Sequence, residues 1–402
     1  MAKRWNRVEI VVGVIVLGIG GVLLGVAGLF VYRSATATPL HPDAQQMSSV
    51  PQSGSPQQWA GAIERARQAM RASVAEQNLP GLSVAVAIDG NIVWAEGFGW
   101  ADIENKMPVT PRTRFRIGTL STILTSAAAG LLIETGALKV DEPIQRYVAK
   151  FPKTQSTVTV GHLMGHTAGV RNDGGDEGEL FGQHCQSPAE GVKHVADDQL
   201  RFEPGTQFQF SNYSWIMVSA AIETASKESF LMFMQKQIFE PLRMDDTLPD
   251  SLTEPIQDLA MPYFPKFAAD PRYGPDPMRE IDLSCYAGAS VFVSTPSDLV
   301  RFATAFKEGK LVKPETVQLL QAPQKLASGQ DTGYGLGWDL ETVTVAGRST
   351  PWVGHDGDVL GGVTGTLATL PEHKLTVAVL ANISYADTPA LTIKIADAFA
   401  AR

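Results

Sequence analysis

Apolar residues recur at helical intervals between Trp59 and Val74, at Trp59, Ile63, Ala66, Met70 and Val74, and Pro80 follows shortly after. This spacing predicts one amphipathic helix near the start of a folded region. The pattern then switches to alternation. LSVAVAID and IVWAEGFG flank Gly90-Asn91, which predicts an antiparallel hairpin. From about residue 119 to 310 the chain reads as helical segments joined by long loops rich in Pro and Gly. Strand patterns return in YGLGWDLETV, VTGTLATL and KLTVAVLAN, with WVGHDGDVLGG as a Gly-rich turn region between them, and a last amphipathic helix covers 388–400. Strands at both chain ends around a helical middle predict an α+β fold. Its antiparallel sheet is built from both ends, flanked by N- and C-terminal helices, with a mainly helical region inserted. No internal repeat is visible.

Ahead of this pattern lies a different one. Residues Ile10 to Tyr32 carry no charged side chain, and Lys3, Arg4 and Arg7 precede them. Such a stretch is long enough to cross a bilayer core of roughly 30 Å, and the basic flank places the N-terminus in the cytoplasm. The resulting division is a cytoplasmic N-terminus at 1–9, a transmembrane anchor at 10–32, a flexible linker at 33–58 and a folded domain at 59–402. The expected location is the cytoplasmic (inner) membrane, single-pass, with the domain periplasmic or otherwise extracytoplasmic. A cleaved signal peptide is the competing reading, since Ala35-Thr36-Ala37 has the small-x-small form of a processing site. The Ser, Pro and Gln of 34–58 offer little to bury, hence the flexible linker. Gly21 and Gly25 are spaced as a GxxxG pair, which allows helix contact and a homo-oligomer.

Charge and cysteine content add limits. A net charge of −9 over 402 residues, with no basic stripe, argues against a nucleic-acid partner. The only cysteines, Cys185 and Cys285, can pair in an oxidising compartment or remain buried thiols. His162 and His166 are four residues apart, and Asp173, Asp176, Glu177 and Glu179 crowd one loop. Neither group matches a metal-ligand pattern well enough for a metal site to be expected. No cofactor is expected either.

The runs PGLSVAVAIDG (80–90), FRIGTLST (115–122), VTVGHLMGHTAGV (158–170), FEPGTQFQFSNYSW (202–215), IFEPLRMDDT (238–247), YAGASVFVSTPSDLVRF (286–302), YGLGW (334–338) and GHDGDVLGG (354–362) occur in order along the chain. Together they resemble the serine β-lactamase-like family of class C β-lactamases, penicillin-binding proteins, DD-peptidases and related esterases. The resemblance implies a Ser-x-x-Lys helix start, a Tyr-x-Asn loop and a Lys-x-Gly or His-x-Gly strand around one cleft. A serine hydroxyl is a weak nucleophile at neutral pH and needs a base within reach, which an amine one helical turn along provides. A tyrosine shuttles the proton, and backbone N–H groups of the helix start and strand hold the oxyanion.

The chain departs from that pattern at three of the five positions. Thr119 stands at the nucleophile, Thr122 at the lysine and Phe210 at the tyrosine, whereas Asn212 and His355-Asp356-Gly357 keep the family type. Thr119 after Gly118 has the form of a helix N-cap, Phe210 that of a packing residue, and Ser121 points away from Thr119. Loss of a positioned base costs about 10²–10⁴ in rate. The resemblance therefore implies a degenerate member, a membrane-anchored pseudoenzyme that binds a peptide, an acyl ligand or a β-lactam-like small molecule through Ser211, His355 and Gly357. Two alternatives stand beside it. One is a working hydrolase of the esterase, DD-peptidase or β-lactamase type that uses Thr119 with His355 as base. The other is an oligomeric membrane scaffold.

Overall fold

The computed structural model describes residues 25–149, 151, 156–172, 178, 180–195, 199–279, 281–359 and 361–400. Helix α1 covers 25–36 and α2 Ala60–Glu76. They are followed by α3 (Ser121–Glu134), α4 (Val160–Met164), α5 (Pro188–Val195), α6 (Asn212–Ser226), α7 (Phe230–Met234), α8 (Pro296–Lys307), α9 (Pro314–Leu320) and α10 (Thr388–Ala400). The strands are β1 (Ser49–Pro51), β2 (Gly81–Ile88), β3 (Asn91–Asp102), β4 (Met107–Pro108), β5 (Phe115–Arg116), β6 (Leu248–Pro249), β7 (Tyr263–Pro265), β8 (Pro275–Pro277), β9 (Phe292–Ser294), β10 (Asp339–Val345), β11 (Arg348–Val359), β12 (Val363–Leu370) and β13 (Leu375–Ala381). The main sheet has the order β1-β3-β2-β13-β12-β11-β10, with β4 beside β3. The expected α+β architecture is present: both chain ends build the sheet, and the helical region is inserted between them.

The central strands β2 and β13 read as nearly continuous apolar runs because both of their faces are buried. Side chains alternate across a strand with a period of two, and residue size divides with them. Val84 and Val86 of β2 and Val377 and Val379 of β13 pack with α2 and α10, while Ala85, Ala87 and Ala378 face the helical region. Small side chains on that second face let α8 lie close against β2 and β13. Within the helical region α3 is apolar on nearly all sides, so it is a core helix, packed between α6 and α9.

Three details differ from the sequence reading, and a fourth decides between alternatives it left open. The first turn is Asp89-Gly90, both at positive φ, with Asn91 already paired to Ile88. That is the φ signature of the hairpin turn suited to twisted strands. The Gly-rich stretch at 352–362 is strand over 352–359, as part of β11 and paired with β12 over 353–359, and turns only at 361–362. Its glycines mark close approach: a Cβ at Gly354 would lie 2.0 Å from the Leu367 carbonyl oxygen. Gly-rich sequence thus reflects crowding here, not chain reversal.

The third difference is in the expected linker, 33–58. Ser49–Pro51 pairs with the outer edge of β3, Met47 joins the core beside α2, and buried His41 has Nε2 3.0 Å from the Leu79 carbonyl oxygen. An edge strand needs backbone partners whatever their side chains, so Ser- and Pro-rich composition did not prevent docking. Finally, Cys185 and Cys285 form a disulfide. Most of the expected anchor, residues 10–24, lies outside the described residues, as do Gly21 and the acidic residues 173, 176, 177 and 179. Among the described residues no helix is long and apolar enough to cross a membrane.

Candidate functional site

The site forms where two helix starts meet β11. Phe115-Arg116 pairs with β9, and Gly118 at positive φ turns the chain into a single 3-10 turn, Gly118–Leu120, that leads into α3. This turn lies against β11 so closely that a Cβ at Gly357 would come within 2.5 Å of the Ile117 carbonyl oxygen and 2.8 Å of Leu120 Cγ. Phe210 and Ser211 lead into α6, and the Phe210 ring centroid lies 6.1 Å from that of His355 on the same strand. The structure therefore brings Thr119, Phe210, His355 and Gly357 together around one short segment of β11, with Thr122 and Asn212 in the first turns of the two helices.

Thr119 does not cap α3, contrary to the sequence expectation: neither the 3-10 turn nor α3 has a side-chain cap. Instead its hydroxyl donates to the Asp356 carbonyl oxygen at 3.0 Å and accepts from the Asp358 backbone N–H at 3.3 Å. The residue is 6 % exposed. The strand N–H that could stabilise an acyl oxygen thus already serves the hydroxyl.

His355, 4 % exposed, is held from both sides. Its Nδ1 lies 2.5 Å from the Asp356 carbonyl oxygen and its Nε2 2.9 Å from Tyr334 Oη. A carbonyl oxygen only accepts, so Nδ1 donates to it, with Asp339 Oδ2 lying 3.9 Å from the same nitrogen, while the Tyr334 hydroxyl engages Nε2. Burial raises the Tyr334 pKa well above its usual value, which keeps that phenol a donor. Thr119 and His355 consequently donate to the same carbonyl oxygen instead of to each other. An imidazole acting as base for Thr119 would have to aim a lone pair at its hydroxyl. Neither ring nitrogen does so.

The remaining positions have other tasks. Phe210 stacks obliquely on His166, centroids 4.3 Å apart. Ser211 caps α6: its Oγ accepts from the Ser214 N–H at 3.4 Å and donates to the Arg171 carbonyl oxygen at 2.7 Å. Thr122 Oγ1 and Asn212 Oδ1 are buried without a hydrogen-bond partner among the described residues. Each such atom costs about 1–3 kcal/mol. Ser121 turns away, its Oγ accepting from the Phe292 N–H at 3.4 Å.

Two site residues were absent from the sequence reading of the cleft. Tyr334 lies in the YGLGW run, a signal that was visible but carried no role. The i,i+4 spacing in the sequence groups His166 with His162 instead of with the cleft. The structure separates them: His162 completes a capping box with Thr159 at α4, whereas His166 is buried under Phe210 and Tyr334. Burial holds the His166 pKa well below its usual value, and nearby His355 lowers it further. Its ring faces two fixed donors, the Ser211 N–H at 3.1 Å and the Trp215 indole N–H at 3.2 Å. A neutral imidazole has a single lone pair, so it accepts from only one of these donors at a time, and a second ring proton would leave it able to accept from neither.

Asp356 points to the opposite face of β11 from His355, where its Oδ1 accepts from Thr366 Oγ1 at 2.8 Å. Burial raises its pKa to about 6, partly offset by the Thr366 hydrogen bond. A raised carboxyl pKa means that the folded state binds the proton more tightly than the unfolded chain. The penalty is absent below the unfolded pKa, grows from about pH 4 to pH 6 and persists above. Asp356→Asn should therefore be more stable than the native chain at pH 7.5, by about 1–3 kcal/mol, and the difference should close near pH 4. Urea unfolding at both pH values checks this.

Comparison with known proteins agrees with the geometry. The Beta-lactamase family model matches residues 66–402. The human mitochondrial serine beta-lactamase-like protein LACTB is 26% identical over 404 residues, covering 78% of this chain and 73% of that protein. Penicillin-binding protein 4* of Bacillus subtilis is 27% identical over 314 residues, covering 75% and 67%. Among solved structures, the octameric penicillin-binding protein homologue from Pyrococcus abyssi superposes with a TM-score of 0.71 at 26% identity, covering 84% of this chain and 77% of that one. With the sheet, the inserted helical region and the β11 cleft in place, and with the family model spanning nearly all of the folded part, the chain belongs to the Beta-lactamase family.

Proposed function

We propose that this domain binds an acyl or peptide ligand, or a β-lactam-like small molecule, without turning it over. The observation that carries this reading is the engagement of Thr119: its hydroxyl donates to the Asp356 carbonyl oxygen and accepts from the Asp358 N–H. Attack on a carbonyl would require breaking both contacts and finding a base. The amine and phenol positions hold Thr122 and Phe210, and His355 Nε2 is engaged by the Tyr334 hydroxyl. Members of a catalytic unit fail together, so retention of Asn212 and His355 does not rescue the rate.

The competing reading is a hydrolase with Thr119 as nucleophile and His355 as base. It needs the imidazole to release Tyr334 and turn toward Thr119. A fluorescent penicillin distinguishes the two. Incubated with the purified chain, bound ligand is expected to be recovered intact by chromatography after release. Recovery as the ring-opened acid, faster than in buffer, would support the hydrolase.

The same reading places the domain outside the cytoplasm on the apolar segment at 10–32. The Cys185–Cys285 disulfide supports an oxidising compartment, and the LACTB relative is described as mitochondrial. The solved homologue is octameric, which favours self-association as a second property of this chain and is open to light scattering in detergent.

A further inference from the structure

The disulfide sits within a ligand cluster. The sulfurs of Cys185 and Cys285 and a ring nitrogen of His194 all lie within 4.8 Å of one another. Both cysteines are buried, whereas His194, in the last turn of α5, is exposed. We propose that, when the disulfide is reduced, these three side chains form a site for a thiolate-preferring divalent cation of the zinc class.

Two thiolates and an imidazole are a tetrahedral zinc donor set with one position left for water. The step balances simply. A dithiol reductant supplies two electrons and two protons, breaks the S–S bond and is itself oxidised to a disulfide. Metal binding then releases the two thiol protons to solvent. At Zn–S distances of about 2.3 Å the two sulfurs stand roughly 3.8 Å apart. A Cα–Cα distance of 4.9 Å leaves that separation to side-chain rotation.

Contacts independent of the S–S bond hold the surrounding frame. The Cys185 N–H donates to Ser284 Oγ at 2.9 Å, the Ser284 N–H donates to Asp282 Oδ1 at 2.9 Å, and Asp282 Oδ2 meets His184 Nδ1 at 2.7 Å. A Cβ at Gly191 would come within 2.6 Å of the Cys285 carbonyl oxygen, so α5 rests directly on the Cys285 turn. His194 therefore stays beside the two sulfurs after reduction. The disulfide and the metal are alternative clasps for the same helix.

The test uses the full chain, oxidised or reduced with a phosphine, titrated with Co²⁺ as a spectroscopic stand-in for Zn²⁺. The reduced chain is expected to take one equivalent, with thiolate-to-cobalt charge-transfer bands and tetrahedral visible bands, while the oxidised chain shows neither. Zn²⁺ should displace the cobalt. His194→Ala should weaken binding at least about tenfold, since even outer-shell losses cost 10–100-fold. Absence of the bands, or equal affinity in His194→Ala, overturns the proposal. So does a reduced chain that loses its near-UV circular dichroism and does not regain it on adding metal. The outcome is independent of whether the β11 cleft turns over a ligand.

Discussion

Changing Thr119→Ser, Thr122→Lys and Phe210→Tyr together is expected to give stoichiometric labelling with a fluorescent penicillin, where the native chain is expected to give none. The reason is positional. The introduced hydroxyl loses the β-methyl that crowds attack, and the introduced amine lies one helical turn along on the same face. The substitution also removes Thr122 Oγ1, a buried hydroxyl without a hydrogen-bond partner among the described residues. The restored phenol stands where Phe210 meets His166 and His355. Single changes should give little, because a proton relay needs all of its members. The full set should recover about 10²–10⁴ in acylation rate over the Thr119→Ser single variant. Gel fluorescence time courses measure this directly, and a triple variant that folds yet stays unlabelled would mean that the cleft differs from its relatives in more than these residues.

The second large effect is on stability. Gly357→Ala is expected to destabilise the domain by about 1–3 kcal/mol or more, the usual cost of overpacking a close contact. The new Cβ would sit 2.5 Å from the Ile117 carbonyl oxygen and 2.8 Å from Leu120 Cγ. The first of these is backbone, which cannot rotate away. Relief requires the 3-10 turn to withdraw from β11, and Thr119 would leave Asp356 and Asp358 with it. The variant should therefore show a lower thermal midpoint and also faster amide exchange at Asp358, whose N–H now donates to Thr119. Unchanged exchange at Asp358 alongside a lower midpoint would detach the stability effect from the site.

Much of the architecture was legible because it rests on periodicity. The spacing of Ile63, Ala66, Met70 and Val74 marks α2, and the apolar runs of β2 and β13, alternating in size, mark strands buried on both faces. What escaped depends on contacts between distant segments. Gly354 and Gly357 resemble turn residues in isolation, and only the neighbours at Leu367 and Ile117 reveal them as strand positions under crowding. The docking of Ser49–Pro51 on β3 is carried by backbone pairing, to which composition is nearly blind. In the cleft, the motif positions were readable one by one, and Thr119, Phe210, His355 and Gly357 do converge. Their hydrogen-bond states were not. That Thr119 and His355 share the Asp356 carbonyl oxygen, and that Tyr334 engages the imidazole Nε2, are properties of a three-dimensional arrangement.

The central claim is that the Thr119 hydroxyl does not attack acyl groups. Intact mass spectrometry of the unmodified chain after prolonged incubation with a penicillin and, separately, a fluorophosphonate tests it most directly. The account predicts the unaltered mass in both samples. A penicilloyl or phosphonyl increment mapped by peptide sequencing to Thr119 would contradict it.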